Sequence, residues 1–425
     1  DACKAVVEKP EDENGVSSFQ ALMVSTASRV GTGNIIGVSS AICIGGFGSV
    51  FWMWVIAIIG SASALIESTL AQIYKKKGKD GECYGGPAYY IEAAIHCRPL
   101  AIIFCISMIA TYAFGFNMLA SYNLQSTFSG FSFYDTKWTP WIIGGILALI
   151  TGWCLLGGGS RIVKVTSTLV PAMGVAYILI AVIVMIINHA YLPVVFSKII
   201  SEAFDFQAIF GAFAGSAMMQ GIRRGLYSNE AGIGSAPNAS ASAQVSHPIK
   251  QGLVQMLSVF IDTLLLCTAT AMMCLSSGIA PAQELQGAPW VQAALHESLG
   301  NFGPLFITVA MVLFAFTTLL GNCFYCDNLL NYIHKGQPSK GFMKGFRIVS
   351  SLVVFIGAGM EVSMLWNISD VLMGVMALIN IPVILILSNT ALKALADYEK
   401  QKKDGENPVF RARDIGLEYE TDYWG

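Results

Sequence analysis

Long apolar runs broken by short polar or glycine-rich stretches dominate this chain. The apolar core of a bilayer is about 30 Å thick and takes about 20 helical residues to cross. About ten runs meet that length: residues 18–44, 48–74, 100–127, 139–157, 163–188, 206–227, 250–278, 303–333, 345–360 and 364–392. Turn formers separate them, among them Gly45-Gly46, Gly85-Gly86-Pro87, Gly157-Gly158-Gly159 and Pro193. The pattern predicts an all-α membrane protein of about ten transmembrane helices. Lys and Arg orient it, because cytoplasmic loops retain them. With the start of the first run inside, 22 of the 25 Lys and Arg fall on the cytoplasmic side. Lys137 and Lys198 fall outside, and Arg29 lies within a span.

Ten helices divide into five plus five: residues 17–190 and 206–393, with a polar cytoplasmic lead-in at 1–16 and a cytoplasmic tail at 394–425. An odd number of helices per half gives the halves opposite topologies, the plan of a transporter with an inverted repeat. The first run of each half is interrupted by glycine: Gly31, Gly33 and Gly37 in one, Gly211, Gly215 and Gly221 in the other. Paired broken helices at corresponding places point to a binding site in this architecture.

Composition agrees. Of 425 residues, 54% are hydrophobic and 12% charged, against about 25% charged in soluble proteins. Such a chain cannot cover a water-facing surface, which excludes a soluble enzyme. A net charge of −2 excludes the basic face of a nucleic-acid binder. Most of the ten cysteines lie within apolar runs, and the Cys323/Cys326 pair has no second pair to complete a zinc site. The five histidines recur at no ligand spacing, and no phosphate-binding loop is present. An enzymatic reading therefore has no residues to rest on.

The chemistry concentrates in a few places. Val30-Gly31-Thr32-Gly33-Asn34 sits deep in an apolar run, and each glycine weakens a helix by about 1 kcal/mol. Unwinding there exposes backbone groups that lipid cannot satisfy. N–H groups opening the second half-helix suit a carboxylate, and carbonyls closing the first suit Na⁺. Close helix packing at small residues accounts for the same glycines. Phe314, Thr317, Thr318 and Asn322 share one face of the eighth run. Their oxygens would form half of a Na⁺ shell, or the hydroxyls bond back to their own helix. Arg29, Glu67 and Asp262 are costly charges within spans, read either as an ion pair locking helices or as part of ion coupling. The polar stretch from Arg223 to Pro237 is too polar to span; it gates a cytoplasmic path or forms a capped loop.

Several stretches resemble the bacterial and archaeal alanine or glycine:cation symporters. They are Ser25 to Val38 (STASRVGTGNIIGV), Gly45 to Gly60 (GGFGSVFWMWVIAIIG), Gly85 to Glu92 (GGPAYYIE) and Arg224 to Pro237 (RGLYSNEAGIGSAP), with Phe314 to Gly321 (FAFTTLLG) agreeing. The likeness covers nearly all of residues 17–395. It implies a leucine-transporter-like fold and Na⁺-coupled uptake of small neutral amino acids such as alanine or glycine by alternating access. It also implies one further helix ahead of residue 18, so the start at Asp1 is expected to be a truncation.

Carried over by position, Gly31, Thr32 and Gly33, with Asn34 beside them, would receive the substrate carboxylate. Gly211 is the expected counterpart in the second half. The carbonyls of Ala27, Val30 and Phe314 and the hydroxyls of Thr317 and Thr318 resemble the Na⁺ site of this fold. The expected partners are a small neutral amino acid, Na⁺ as coupling ion and the lipid bilayer, with no nucleic acid and a monomeric chain. Two positions depart from the family pattern. Ala120-Ser121-Tyr122 stand where the family shows Gln, a small residue and Asn, so a polar contact to the substrate is either lost or moved to Asn123 or Gln125. Asn322 stands where some members carry Trp, which implies a roomier site that tolerates serine, asparagine or glutamine. Two alternatives remain open: a proton-coupled or Na⁺-independent carrier in which Arg29 replaces the ion, and a membrane amino-acid sensor or channel-like protein. A sensor needs a sizeable output domain, and a tail of residues 394–425 is too short for one.

Overall fold

The computed structural model describes residues 1–8, 10, 15–78, 82–205, 216–417 and 421–424. After a short helix α1 (Ala2–Val6), α2 (Ser18–Arg29) opens on a capping box. The Ser17 hydroxyl accepts from the Gln20 N–H at 3.1 Å, and the Gln20 side chain accepts from the Ser17 N–H at 2.9 Å, satisfying two orphan donors reciprocally. The helix stops at Arg29 and resumes as a wide π-turn over Gly33–Gly37 that runs into α3 (Val38–Gly45). The first expected span is thus present as two short pieces joined at a break.

The 26-residue α4 (Gly48–Ile73) follows. A two-residue antiparallel ribbon pairs β1 (Lys76–Lys77) with β2 (Cys83–Tyr84), and α5 (Pro87–Ile95) comes next. The third span joins α6 (Arg98–Ile109) to α7 (Phe116–Ser126) through a π-turn at Ala110–Gly115. Helices α8 (Thr139–Leu156) and α9 (Gly159–Ile187) are joined at Gly158, whose φ of +79° favours glycine. Helix α10 (Leu192–Ala203) lies between spans.

The sixth expected run is described only from Ser216, whose side chain caps α11 (Ala217–Asn229) by accepting from the Met219 N–H. Gly211 and Gly215 lie outside the described residues. A one-turn α12 (Pro237–Ser240) follows. The seventh span is α13 (Pro248–Val259), a π-turn over Phe260–Cys267, and α14 (Thr268–Leu275). Helices α15 (Ala288–Leu299), α16 (Phe302–Ile333), α17 (Lys340–Ala358) and α18 (Val362–Lys403) complete the bundle.

Eight helices among the described residues are long and apolar enough to cross a membrane. The difference from about ten lies in the first and sixth runs, one divided by its break and the other described in part. Leu149 (75% exposed), Leu378 (78%) and Ile386 (69%) stand on the outside of the bundle with many other large apolar side chains. A water-soluble monomer does not expose apolar surface on that scale; lipid tails cover it here.

At 1.5 Å per residue the 42-residue α18 is about 63 Å long, about twice the bilayer core. Its end carries Lys400, Lys402 and Lys403 beyond the apolar zone. The following segment folds back on the bundle. The Phe410 N–H donates to the Ser246 carbonyl (2.8 Å), the Trp424 indole N–H to the Gln72 carbonyl (2.7 Å), and Lys250 Nζ to Asn407 (2.9 Å) and Glu8 (2.6 Å).

Candidate functional site

The break after α2 is built by hydrogen bonds that leave the helical pattern. The Val30 N–H still reaches the Thr26 carbonyl (2.7 Å). The Gly31 N–H donates instead to the Asn34 side-chain oxygen at 2.8 Å, passing over the Ala27 carbonyl four residues back. The Asn34 N–H goes to the Gly31 carbonyl (3.2 Å), passing over that of Val30. The helix therefore ends with two carbonyls turned from their usual donors, next to a backbone N–H held by a side chain.

The glycines make close approaches possible. A Cβ on Gly31 would overlap the Thr318 hydroxyl and lie 3.2 Å from the Thr318 Cβ. A Cβ on Gly33 would lie 2.9 Å from the Tyr227 ring. Tyr227 packs edge-on against Phe116 (ring centroids 4.8 Å apart) and Trp366 (5.0 Å). Gly31 thus brings α16 against the break, and Gly33 brings an aromatic trio against its other side.

On α16 the two threonines differ. The Thr317 hydroxyl bonds back to the Leu313 (3.0 Å) and Phe314 (3.2 Å) carbonyls. The Thr318 hydroxyl is buried beside Gly31 and has no hydrogen-bond partner among the described residues. Asn322, one turn on, accepts from the Ser28 hydroxyl at 2.7 Å and donates to Asn117 Oδ1 at 2.9 Å. Thr32 accepts from Asn123 Nδ2 at 3.2 Å, and Ala120 is fully buried in the apolar cluster that holds Val30 and Phe314. Asn123 therefore reaches the break, whereas Gln125 accepts from Tyr134.

The three charges within spans have distinct surroundings. Arg29 donates from Nη1 to the carbonyl and side chain of Gln255, and its Nε and Nη2 have no hydrogen-bond partner among the described residues. Glu67 accepts from the N–H groups of Gly232 and Gly234 (both 3.2 Å) and from Asn380 (3.0 Å), pinning the loop after α11 to α4. Asp262 accepts from Asn34 (2.7 Å), Ser228 (2.8 Å) and Thr263 (2.9 Å), tying the break to the end of α11.

The sequence placed Ser28 and Glu230 within motif stretches but gave neither a role of its own. Glu230 closes α11 in the left-handed conformation (φ +55°), where glycine is the usual residue and another side chain costs about 1–3 kcal/mol. Its carboxylate receives the hydroxyls of Ser28 and Ser235, both at 2.8 Å. The signal was a helix end at which glycine stands two positions late.

A cavity of about 1330 Å³ opens on the face that carries Lys340, Lys344 and Arg347. Its inner wall includes Asn238, Phe324 and Asn328. Phe324 lies six residues, about 9 Å of helix, from Thr318. On the opposite face α15 covers the break. The Gly287 N–H and carbonyl both bond the Ser39 hydroxyl, and Gln292 donates to the Thr127 carbonyl at 2.7 Å.

A bundle of membrane-crossing helices around an internal break with polar backbone is the build of a membrane transporter. The sequence profile of the sodium:alanine symporter family matches residues 1–412, and the chain belongs to that family. It is 44% identical to the amino-acid carrier protein AlsT of Bacillus subtilis over 97% of this chain and 86% of that one. It is 41% identical to a Bacillus subtilis protein named "Probable sodium/glutamine symporter GlnT" (94% and 82% covered). It is 37% identical to the sodium/alanine symporter AgcS of Methanococcus maripaludis (95% and 89%). This chain is a cation-coupled amino-acid transporter and not an enzyme, a multi-pass protein of the bacterial inner membrane.

Proposed function

We propose that this chain carries Na⁺ and a small neutral amino acid, alanine or glycine, together into the cell by alternating access. The observation that carries the reading is the buried, unpartnered Thr318 hydroxyl against the Gly31 break. With the Ala27 and Val30 carbonyls, the Phe314 carbonyl and the Thr317 hydroxyl, it offers hard oxygen ligands of the kind Na⁺ takes. The Gly31 N–H receives the substrate carboxylate once the Asn34 side chain releases it, with Thr32 and Gly33 forming the wall. Asn34 occupies that N–H as the carboxylate would. Residues 17–190 and 206–393 act as two inverted halves, Gly211 being the second half's counterpart to the break. The cavity on the Lys- and Arg-bearing face and the seal on the other fit an inward-facing state.

The substrate's side chain points toward Ala120 and Asn322. The Asn322 amide is engaged on both sides, which favours a small side chain over a long polar one. The test is uptake of labelled alanine into proteoliposomes with and without an inward Na⁺ gradient. Accumulation only with the gradient supports the reading, and equal uptake with choline in place of Na⁺ overturns it.

A further inference from the structure

The Ser28 hydroxyl lies 2.8 Å from Glu230 Oε1 and 2.7 Å from Asn322 Oδ1. A hydroxyl has a single proton to donate. Asn322 does not supply the second one in this arrangement: its amide NH₂ donates to Asn117 Oδ1 at 2.9 Å, and the Asn117 amide NH₂ faces the Ala113 carbonyl at 3.5 Å. With Glu230 ionised, Ser28 must choose between two acceptors, and one pair of oxygens is left in contact without a hydrogen. With Glu230 protonated, its O–H donates to Ser28 and Ser28 donates to Asn322, so every contact is satisfied. The direction of the Ser28 hydroxyl, one residue past the Ala27 carbonyl, is thus tied to a proton on Glu230.

A polar column joins this carboxyl to the cavity. Ser235 donates to Glu230 Oε2 (2.8 Å), Asn238 donates to the Ser235 carbonyl (2.9 Å), and Asn328 donates to Asn238 Oδ1 (2.7 Å). Asn238 and Asn328 line the cavity wall. The groups facing Glu230 are Arg29 from α2, Tyr112 from the π-turn between α6 and α7, Tyr325 from α16 and Tyr227 from its own helix, with Glu67 beyond Tyr325. The unpartnered nitrogens of buried Arg29 support the ionised carboxylate, while burial away from water supports the neutral acid. Both states are therefore within reach. A carboxylate at a left-handed helix end, where glycine would be free of strain, is also a residue kept for its side chain.

We propose that Glu230 is a proton-binding site between the break and the Lys-bearing cavity. A proton from water reaching the site from the cavity side binds the carboxylate and turns Ser28 toward Asn322, and it returns to water when the carboxyl ionises again. The proposal rests on the transport reading above for its role, but its test does not need transport. Infrared difference spectra of the purified protein across the neutral pH range should show the C=O stretch of a protonated buried carboxylic acid. That band should be absent in Glu230→Gln. A band that persists unchanged in the variant, or no such band in the wild type, overturns the proposal. If Glu230→Gln does not fold, Ser28→Ala keeps the carboxyl and removes its partner. The band's midpoint should then move by at least about 0.5 pH unit, and an unmoved midpoint overturns the proposal. In proteoliposomes, wild-type uptake should vary with pH and Glu230→Gln uptake should not; equal pH dependence in the two overturns it. A titrating band in a protein that shows no Na⁺-driven uptake would refute the transport reading and leave the proton site standing.

Discussion

Gly31→Ala puts a methyl group where the Thr318 hydroxyl now lies, with the Thr318 Cβ only 3.2 Å away. The backbone cannot yield easily, because Asn34 and Asp262 hold it from the other side. Thr318 must therefore rotate. Overpacking of this kind costs about 1–3 kcal/mol, and Thr, branched at Cβ, has few other rotamers to adopt. Rotation carries the hydroxyl away from the Gly31 break. If that hydroxyl is a Na⁺ ligand, the half-saturating Na⁺ concentration for alanine uptake should rise by roughly tenfold, equivalent to about 1.4 kcal/mol. Thr318→Val should do the same, since it removes the hydroxyl while keeping the shape. Gly31→Ala and Thr318→Ala together should also give roughly tenfold and not a hundredfold, because both remove one interaction and such effects do not add. The assay is initial uptake rate against Na⁺ concentration in proteoliposomes. A Gly31→Ala variant that transports with an unchanged Na⁺ dependence would refute the reasoning. So would effects that multiply in the double variant.

Three other outcomes are expected. Glu67→Gln removes a charged acceptor from two backbone N–H groups and should destabilise the protein by roughly 1–3 kcal/mol, read as a lower melting temperature in detergent; an unchanged melt would mean the loop is held elsewhere. His247 is fully buried, and burial pushes its imidazole below the usual value, to about 4, against the upward pull of Asp397 at 3.3 Å. The unfolded chain, with an ordinary His near 6.5, then binds the proton the folded chain refuses. Stability is thus present above about pH 6.5 and lost as pH falls toward 4; a His247→Gln melt that follows pH as the wild type does would contradict this. Competition of labelled alanine uptake should rank glycine and serine above glutamine, since the Asn322 amide is already bonded on both sides. Strong competition by glutamine, abolished in Asn322→Trp, would reverse that reading and locate a roomier site.

The long helices were legible because a bilayer imposes a length and a composition that few other environments do. The edges of α4 and α16 fall within a residue or two of the apolar runs at 48–74 and 303–333. The break at Gly31 was legible from its glycines, and the structure adds what those glycines accommodate: the Thr318 hydroxyl and the Tyr227 ring. The three π-turns were not legible. A shift from one hydrogen-bond partner to the next along the helix carries no residue signature, and Asn34 of the first meets Asp262 of the third. Glu67 read as a charge in a span, but its partners are two backbone N–H groups more than 160 positions away in sequence. No local pattern encodes such a pairing. The role of Glu230 was hidden for the opposite reason: a polar residue among polar residues shows none of its own until its backbone conformation is seen.

The coupling of ion to amino acid is the centre of this account, and the most direct measurement is its reverse. Proteoliposomes should be given an inward alanine gradient and equal radioactive sodium on both sides at the outset. Symport predicts that alanine entry drives a transient accumulation of labelled sodium, and that Thr318→Val weakens it at a sodium concentration near the wild type's half-saturation. Alanine entry without any movement of labelled sodium would contradict the account.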